Sequence, residues 1–388
     1  MRKIRMGMVG GGEGAFIGAI HRIAARMDGE IELVCGAFSR DAERSKAFGE
    51  SLYFEQNRCY PNYHAMFEME GQKPSQERMD MVAIVTPNHL HFPVAKMALE
   101  HGFHVLCDKP ATLDLAEAIT LRQLVDKTGL LYGLTHTYTG YPLIKEARHR
   151  VIAGQLGQIR KVVVEYPQGW LADKHSEQSK QASWRLDPAQ AGLSGCMADI
   201  GVHGANLAEY VTGLKISEVC ADLSTAFDDR MLDDDGTVLM RFNSGARGVL
   251  MASQVCVGEE NNLKLRVYGE FASIEWSQMA PNDLWMKYAD RPTELIRTGV
   301  GSMAANTLAN IRTPAGHPEG YLEAFANIYR NFAHLIQARI ASKPASQASL
   351  DVPGIDEAIR GMAFIENVVA ASRSELKWHP FRVELDSE

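Results

Sequence analysis

The chain has 388 residues, 46% of them hydrophobic and 23% charged. That length exceeds one small core and suits two domains of an ordinary globular protein. A formal net charge of −8 and a pI near 5.9 argue against nucleic-acid or anionic-membrane partners, which call for a basic face. No segment is apolar for long enough to span a membrane and no signal-peptide stretch opens the chain, so a cytoplasmic protein is expected. Cys35, Cys59, Cys107, Cys196, Cys220 and Cys256 are scattered, with no C-x-x-C pair, which reads as reduced structural thiols.

The first elements are strand, glycine turn and helix. Residues 4–9 are mostly apolar, Gly10-Gly11-Gly12-Glu13-Gly14-Ala15 follows, and an apolar run over 16–25 can begin a helix. Gly10-x-Gly12-x-x-Ala15 fits the G-x-G-x-x-G/A fingerprint of a dinucleotide site, in its confirming setting between a strand and a helix. Glycine lets the chain turn sharply, approach a pyrophosphate and pack helix on strand, while the helix N-terminus offers N–H groups to the phosphates. Residues 32–38 read as the second strand of a βαβ unit, whose end faces the adenosine ribose in such folds. An acidic residue there favours NAD. Here the chain gives Ser39-Arg40-Asp41, with Arg44 one turn later, a set that suits the 2′-phosphate of NADP better than a diol. Asp41 is also an ordinary helix start.

Helices over 41–48 and 62–69 come next, then a strand over 81–85 ending in Thr86-Pro87-Asn88-His89-Leu90-His91. A helix over 94–101 leads to a strand over 104–107 that ends in Asp108-Lys109-Pro110, then to a helix over 113–127 and a strand over 130–134. This alternation predicts a doubly wound parallel sheet of Rossmann type, with Asn88, His91, Asp108 and Lys109 on the same carboxyl rim as Gly10 and Gly12. After residue 136 the pattern changes. Helix is expected over 143–153 and 199–211, a polar loop over 173–183, and strands over 158–166, 219–224, 237–242, 248–255, 263–268 and 272–276. Asn243-Ser244-Gly245 reads as a hairpin turn. Consecutive strands with short turns predict an α+β domain with a largely antiparallel open sheet. Amphipathic helices over 321–341 and 356–372 close the chain. The division is therefore 1–136, a dinucleotide-binding domain, and 137–388, a substrate and oligomerisation domain, with the cleft between them the default site.

Two constellations carry chemistry. Lys109 follows a buried strand, where apolar walls can depress a lysine pKa and make it a base or donor; it also reads as a surface lysine. Gly195-Cys196-Met197-Ala198-Asp199-Ile200-Gly201-Val202-His203 places Asp199 and His203 four apart, on one face of a helix. There a carboxylate can orient a proton-moving histidine; equally, Asp199 reads as an N-cap beside an ordinary helix histidine. No clear third and fourth ligands suggest a metal. Trp276 and Trp285 read as sheet or interface packing, Asp233-Asp234-Asp235 as a solvated turn, and the aromatics over 321–329 as core.

In order along the chain, Gly10-Gly11-Gly12, Thr86-Pro87-Asn88-x-x-His91, Asp108-Lys109-Pro110, Trp184-Arg185 and Asp199-x-x-x-His203 resemble the Gfo/Idh/MocA family of oxidoreductases, which includes glucose–fructose oxidoreductase and inositol dehydrogenase. Three features depart from the pattern. Asp108 stands where the family usually has glutamate. The glycine turn carries an extra glycine and Phe16-Ile17-Gly18, which leaves open whether Ala15 or a neighbour fills the third fingerprint position. His136-Thr137-Tyr138 lacks the arginine that often follows, which points to a substrate unlike the better-known sugars.

The resemblance implies NADP or NAD along the rim, with Gly10, Gly12 and Ala15 at the pyrophosphate and Ser39, Arg40 and Arg44 at the adenosine end. Asn88, Asp108 and Lys109 then lie toward the nicotinamide ribose, His91 is a further cofactor-binding residue, and Trp184 and Arg185 meet cofactor or substrate. A secondary alcohol of a sugar or cyclitol gives up hydride while His203 or Lys109 takes the hydroxyl proton. Asp199 positions His203, and His136 and Tyr138 line the substrate pocket. The resemblance also implies a homodimer or homotetramer. Two other functions fit the same fold: a redox-neutral sugar enzyme with tightly held NAD, and a non-catalytic dinucleotide or sugar sensor. The presence of Lys109, Asp199 and His203 together favours catalysis.

Overall fold

The computed structural model describes residues 2–178 and 180–384. The chain forms two compact units, one of Met1–Thr135 with Phe325–Ile359 and the other of His136–Ala324 with Arg360–Glu388. A single boundary after residue 136 therefore does not describe the path. Phe325–Ile359 rejoins the first unit because its side and main chains complete that core: the Leu134 amide donates to Pro353 O, and a Cβ on Gly133 would meet the Phe332 ring at 3.1 Å.

The first unit is built on a five-stranded parallel sheet of order β2-β1-β3-β4-β5. Its strands are β1 (Ile4–Gly10), β2 (Ile31–Ala37), β3 (Met81–Val85), β4 (His104–Cys107) and β5 (Tyr132–Leu134). The helices that follow them are α1 (Phe16–Met27), α2 (Ala42–Ser51), α3 (Tyr63–Gln72), α4 (His91–Glu100) and α5 (Leu115–Thr128). Every residue of β3 and β4 is buried, the mark of parallel strands covered on both faces. Asp41, Asn62 and Asp114 cap their helices, each side chain accepting from an amide three residues on. Pairing of Gly10 with Val85, Ile84 with Cys107 and Cys107 with Leu134 brings the strand ends to one rim.

The second unit carries a nine-stranded sheet of order β13-β12-β11-β10-β6-β9-β8-β7-β14. After α6 (Pro142–Ile152), β6 (Lys161–Pro167), α7 (Lys180–Arg185), α8 (Pro188–Ala191) and α9 (Val202–Thr212) come β7 (Ile216–Ser224), β8 (Asp235–Phe242) and β9 (Arg247–Ser253). Strands β10 (Lys264–Tyr268), β11 (Ala272–Ser277), β12 (Asp283–Tyr288) and β13 (Glu294–Arg297) then lead through α10 (Ala305–Ala309) to α11 (Tyr321–Ile340), α12 (Ile355–Ser372) and β14 (His379–Pro380), with residues 325–359 belonging to the first unit. The neighbouring pairs are antiparallel, as β7–β8 and β10–β11 are, except β6 with β9, which is parallel. The long connection from β6 lets it enter the sheet centre beside a strand some eighty positions later (E165 opposite M251), a pairing local periodicity does not encode.

Several expectations are corrected here. Strands β12, β13 and β14 extend the sheet beyond the predicted set; β13 has no buried residue, so burial leaves no alternation to read. The 173–183 segment holds a 3-10 turn over Lys174–Gln178 and helix α7 in place of a plain loop, residue 179 lying outside the described residues. The acidic trio is no solvated turn. Asp234 is 1% exposed and paired with Arg230 Nη1 at 2.5 Å, and half-buried Asp233 accepts from the Gly195 and Met197 amides and the Ser194 hydroxyl, each at 2.9–3.0 Å. Trp276 is buried against Tyr141, whereas Trp285 faces outward. Cys35, Cys59, Cys107 and Cys196 are buried thiols.

Candidate active site

In the first unit the glycine turn shapes the rim. Gly10 and Gly11 take φ of 82° and 68°, the left-handed region that favours glycine. A Cβ on Gly12 would stand 2.5 Å from Phe38 O, so the turn runs directly beside the end of β2. Ala15 is the N-cap of α1 and supplies no side-chain acceptor, and no acidic residue lies in the first turn. The tight approach of helix to turn falls on Gly18, where a Cβ would meet Gly11 Cα at 2.4 Å. That resolves the third fingerprint position: Ala15 caps, and Gly18 makes the close contact. Arg22, one turn on, donates to Gly11 O at 2.7 Å and so holds the turn from behind; sequence reasoning missed it because nothing in its local pattern marks a loop brace.

Past the end of β2, Ser39 is half-buried and Arg40 and Arg44 are exposed. Asp41 is engaged as the cap of α2, its carboxylate accepting from the Arg44 amide at 2.9 Å. Ser39 Oγ accepts from the Asp41 amide at 3.1 Å.

Asn88 lies buried in the turn after β3. His91 is 1% exposed, and its Nδ1 and Nε2 stand 2.6 and 2.9 Å from Pro110 O and Thr86 O. The ring thus sits between the loop after β3 and the loop after β4, and as a neutral imidazole it donates its one N–H to one of these carbonyls. Burial pushes the His91 imidazole below its usual range against the pull of those carbonyls and Asp108. Asp108 Oδ1 accepts from the Lys109 amide at 2.9 Å and the Thr135 hydroxyl at 2.8 Å. Burial pushes the Asp108 carboxyl up, yet the facing His21, then Lys109 and His91, outweigh it and hold the group well below the usual carboxylate range. The Lys109–Pro110 peptide is cis.

In the second unit a different kind of cluster forms. His136 and His203 are 1% and 8% exposed, with their Nδ1 atoms 3.4 Å apart. Tyr138 lies edge-on to His203 at 4.9 Å between centroids and hydrogen bonds Tyr166 through the two hydroxyls. Tyr166 donates to Asn261 Oδ1 at 2.7 Å, Asn261 Nδ2 donates back to Tyr138 at 3.1 Å, and Gln168 Nε2 reaches Asn261 Oδ1 at 2.7 Å. Burial pushes both phenols above their ordinary value, so they serve as neutral hydrogen-bonding groups and not as bases.

Asp199 lies inside a π-helical turn over Met197–Gly201 that precedes α9, and so is not an N-cap. Single π turns occur often at functional sites. The capping of this start falls to Asp233, from a distant loop. The wider turn brings Asp199 Oδ2 to Gln254 Nε2 at 2.9 Å and Arg185 Nε at 3.3 Å, and the Arg185 guanidinium covers the Trp184 ring at 4.3 Å. Tyr166, Gln168, Gln254 and Asn261 were not foreseen. They come from the ends of β6 and β9 and the loop before β10, which meet only through sheet pairing. Among the described residues no group of three or more His, Cys, Asp or Glu is placed to hold a metal ion, and no helix is long and apolar enough to cross a membrane.

Family models match both parts of the chain: an oxidoreductase-family NAD-binding Rossmann fold over residues 4–136, and a GFO/IDH/MocA C-terminal domain over residues 144–275. An uncharacterised oxidoreductase, YfiI, of Bacillus subtilis is 35% identical across 98% of both chains. The chain belongs to the GFO/IDH/MocA oxidoreductase family. Crystal structures of an inositol dehydrogenase homologue from Azotobacter vinelandii superpose on it with a TM-score of 0.93 for the NAD+ complex and 0.91 for the complex with NADH and myo-inositol. They are 34% and 33% identical to it, each over 98% of both chains.

An NAD-type dinucleotide fits the residues present in this family member. The positive-φ turn, the contact of Gly18 with Gly11 and an α1 start without a side-chain cap leave the pyrophosphate position to backbone N–H donors.

Proposed function

We propose that this oxidoreductase is a dehydrogenase or reductase acting on a secondary alcohol or ketone of a sugar, sugar derivative or cyclitol. The observation that carries the reading is the buried His136–His203 pair beside hydrogen-bonded phenols and amides, a polar, proton-holding lining suited to a polyol. A relative whose crystal structure contains NADH and myo-inositol supports it.

When bound, the dinucleotide supplies the hydride chemistry. Gly10, Gly12, Ala15 and Gly18 shape its pyrophosphate cradle. Ser39, Arg40 and Arg44 face the adenosine end, with NADP preferred because Asp41 is spent as a cap. Asn88, Asp108 and Lys109 serve the nicotinamide side, with His91 bracing their loops. His203 or Lys109 takes the hydroxyl proton, and His136 shares it through the facing Nδ1 atoms. Asp199, held by Arg185 and Gln254, and Tyr138 orient substrate, with Trp184 supporting Arg185.

The outer face of the second sheet offers a reason for self-association. Leu295, Trp285, Glu275, Arg266, Val163, Val249, Leu239 and Cys220 lie opposite one another across the strands and none is buried. A homodimer or homotetramer would cover this mixed apolar row. Sedimentation at the 42.9 kDa monomer mass at micromolar concentration would remove that part of the reading.

The functional test mixes purified protein with NAD or NADP and a panel of inositols, aldoses, sugar acids and anhydro sugars, following reduced nicotinamide by absorbance. Turnover with any member establishes the class and selects the cofactor. Silence across the panel with dinucleotide still bound would replace it with a redox-neutral enzyme or a sensor.

A further inference from the structure

A line of buried side chains runs directly behind Asp108, wholly within the parallel-sheet unit. His21, on α1, is 0% exposed, and the rings of Phe325 and Tyr329 pack edge-on against it at 4.7 and 5.8 Å between centroids. Its Nδ1 lies 2.6 Å from the Tyr329 hydroxyl. Its Nε2 points at Asp108 Oδ2 from 3.7 Å and has no hydrogen-bond partner. That is about 0.7 Å longer than an ordinary N–H···O hydrogen bond, so a small movement closes it.

An aromatic wall does not need an imidazole. A buried ring nitrogen costs stability unless something uses it, so a wholly apolar side chain would pack here at lower cost. The polarity of the line also follows from its members. A carboxylate only accepts, so Nε2 carries the proton; Nδ1 is then the acceptor, and the Tyr329 hydroxyl donates to it. Burial, with the charge of Asp108 beside it, pushes the Tyr329 phenol well above its ordinary value, and it stays a donor. The other Asp108 oxygen is already taken by Thr135 and the Lys109 amide.

We propose that His21, aimed by Tyr329, is the positioning residue of this site: its Nε2–H fixes the Asp108 carboxylate, which in turn fixes Lys109. The role of Lys109 in turnover rests on the dehydrogenase reading; the coupling of His21 to Asp108 does not. The titratable groups that face Asp108 are His21 from α1, Cys107 and Lys109 from the end of β4, His91 from α4 and Tyr329 from α11. Among them His21 opposes the desolvation of the carboxylate most strongly.

The experiment uses the full chain in four forms: wild type, His21→Leu, His21→Gln and Tyr329→Phe. The Asp108 side-chain carboxyl is titrated by carbon-13 NMR, with Asp108→Asn to assign its signal, and kcat and KM are measured with any substrate that turns over. His21→Leu should raise the Asp108 titration midpoint by about one unit or more, the equivalent of about tenfold in its ionisation. It should lower kcat by about tenfold, shift the acid limb of the pH profile upward and change dinucleotide KM little. His21→Gln, which restores an N–H near Nε2, should recover most of both effects, and Tyr329→Phe should fall between.

Equal losses in the Leu and Gln variants, or a wild-type Asp108 titration in Leu and Phe variants, would overturn the proposal and leave His21 as packing. Should His21→Leu not fold, Tyr329→Phe, which removes one hydroxyl, carries the same two readouts. Should no substrate turn over, the dehydrogenase reading fails, while the carboxyl titration still decides whether His21 governs Asp108.

Discussion

The two units hold their candidate functional residues by different means. In the parallel-sheet unit, backbone does the shaping: positive-φ glycines, an uncapped helix start and strand ends aligned by register, with Asp108 and Lys109 set at one of those ends. In the mixed-sheet unit, side chains do it. His136 and Tyr138 from one turn, with Tyr166, His203 and Asn261, come from four places in the chain and are held by one another. Backbone cradles suit a ligand whose charged part does not vary, because N–H donors have no alternative chemistry. A side-chain network can be rebuilt residue by residue, so it suits the part of a site that selects a substrate.

That contrast breaks most sharply on the proton. Lys109→Ala in one unit and His203→Ala in the other should each lower kcat by on the order of 10²-fold or more, with dinucleotide binding kept. Stopped-flow and fluorescence titration would show it. Near-normal rates in both would end the idea that either group moves the proton.

Gly18→Ala tests the backbone side alone. The new Cβ would strike Gly11 Cα at 2.4 Å, main chain that cannot step aside. Dinucleotide affinity should weaken by up to about 3 kcal/mol while the second unit's melting stays unchanged. Unaltered affinity would mean the turn is not the cradle.

A third test separates the carboxyl rim from the opposite edge of the same sheet. His104, at the start of β4, accepts the Leu131 amide at 3.0 Å, and burial with help from Arg339 lowers its pKa to about 4. An unfolded histidine titrates near 6.5, so between those values the unfolded chain binds the extra proton. Stability is therefore full above about pH 6.5 and falls as the pH drops toward 4, by about 2 kcal/mol at pH 5. Denaturant melts across that range should show the loss, and His104→Asn, which keeps an acceptor, should flatten it. A flat wild-type profile would leave this edge without a titrating role.

The smallest effect is expected at the adenosine end. Ser39→Asp should repel a 2′-phosphate and shift the NADP/NAD preference toward NAD by about tenfold or less, roughly 1 kcal/mol. An unchanged ratio would move the adenosine pocket away from Ser39.

Much of the first unit was legible in the chain. β3 and β4 were read to the residue, and Asp41 as a helix start, because buried parallel strands are continuous apolar runs and caps are local chemistry. The Asp108-Lys109-Pro110 triplet could be placed on the rim from strand order alone. The second unit was less legible. The reading of Asp199 as a helix start failed because the cap comes from Asp233, and that of Asp233-Asp234-Asp235 as a solvated turn failed because Arg230 and the Gly195–Met197 amides take those carboxylates inward. Neither partnership has a local signature.

What the sequence determined by itself was the set of local structures and the family: period, caps, glycine turns and ordered motifs depend on neighbours within a few residues. Only the tertiary structure decided that Gly18 makes the close contact, that His91 is a loop brace, that Tyr166 and Asn261 join Tyr138, and that His21 and Tyr329 stand behind Asp108. Those pairings span from a few residues to more than three hundred, and their geometry is set by sheet register and helix packing. A pattern read along the chain has no term for either.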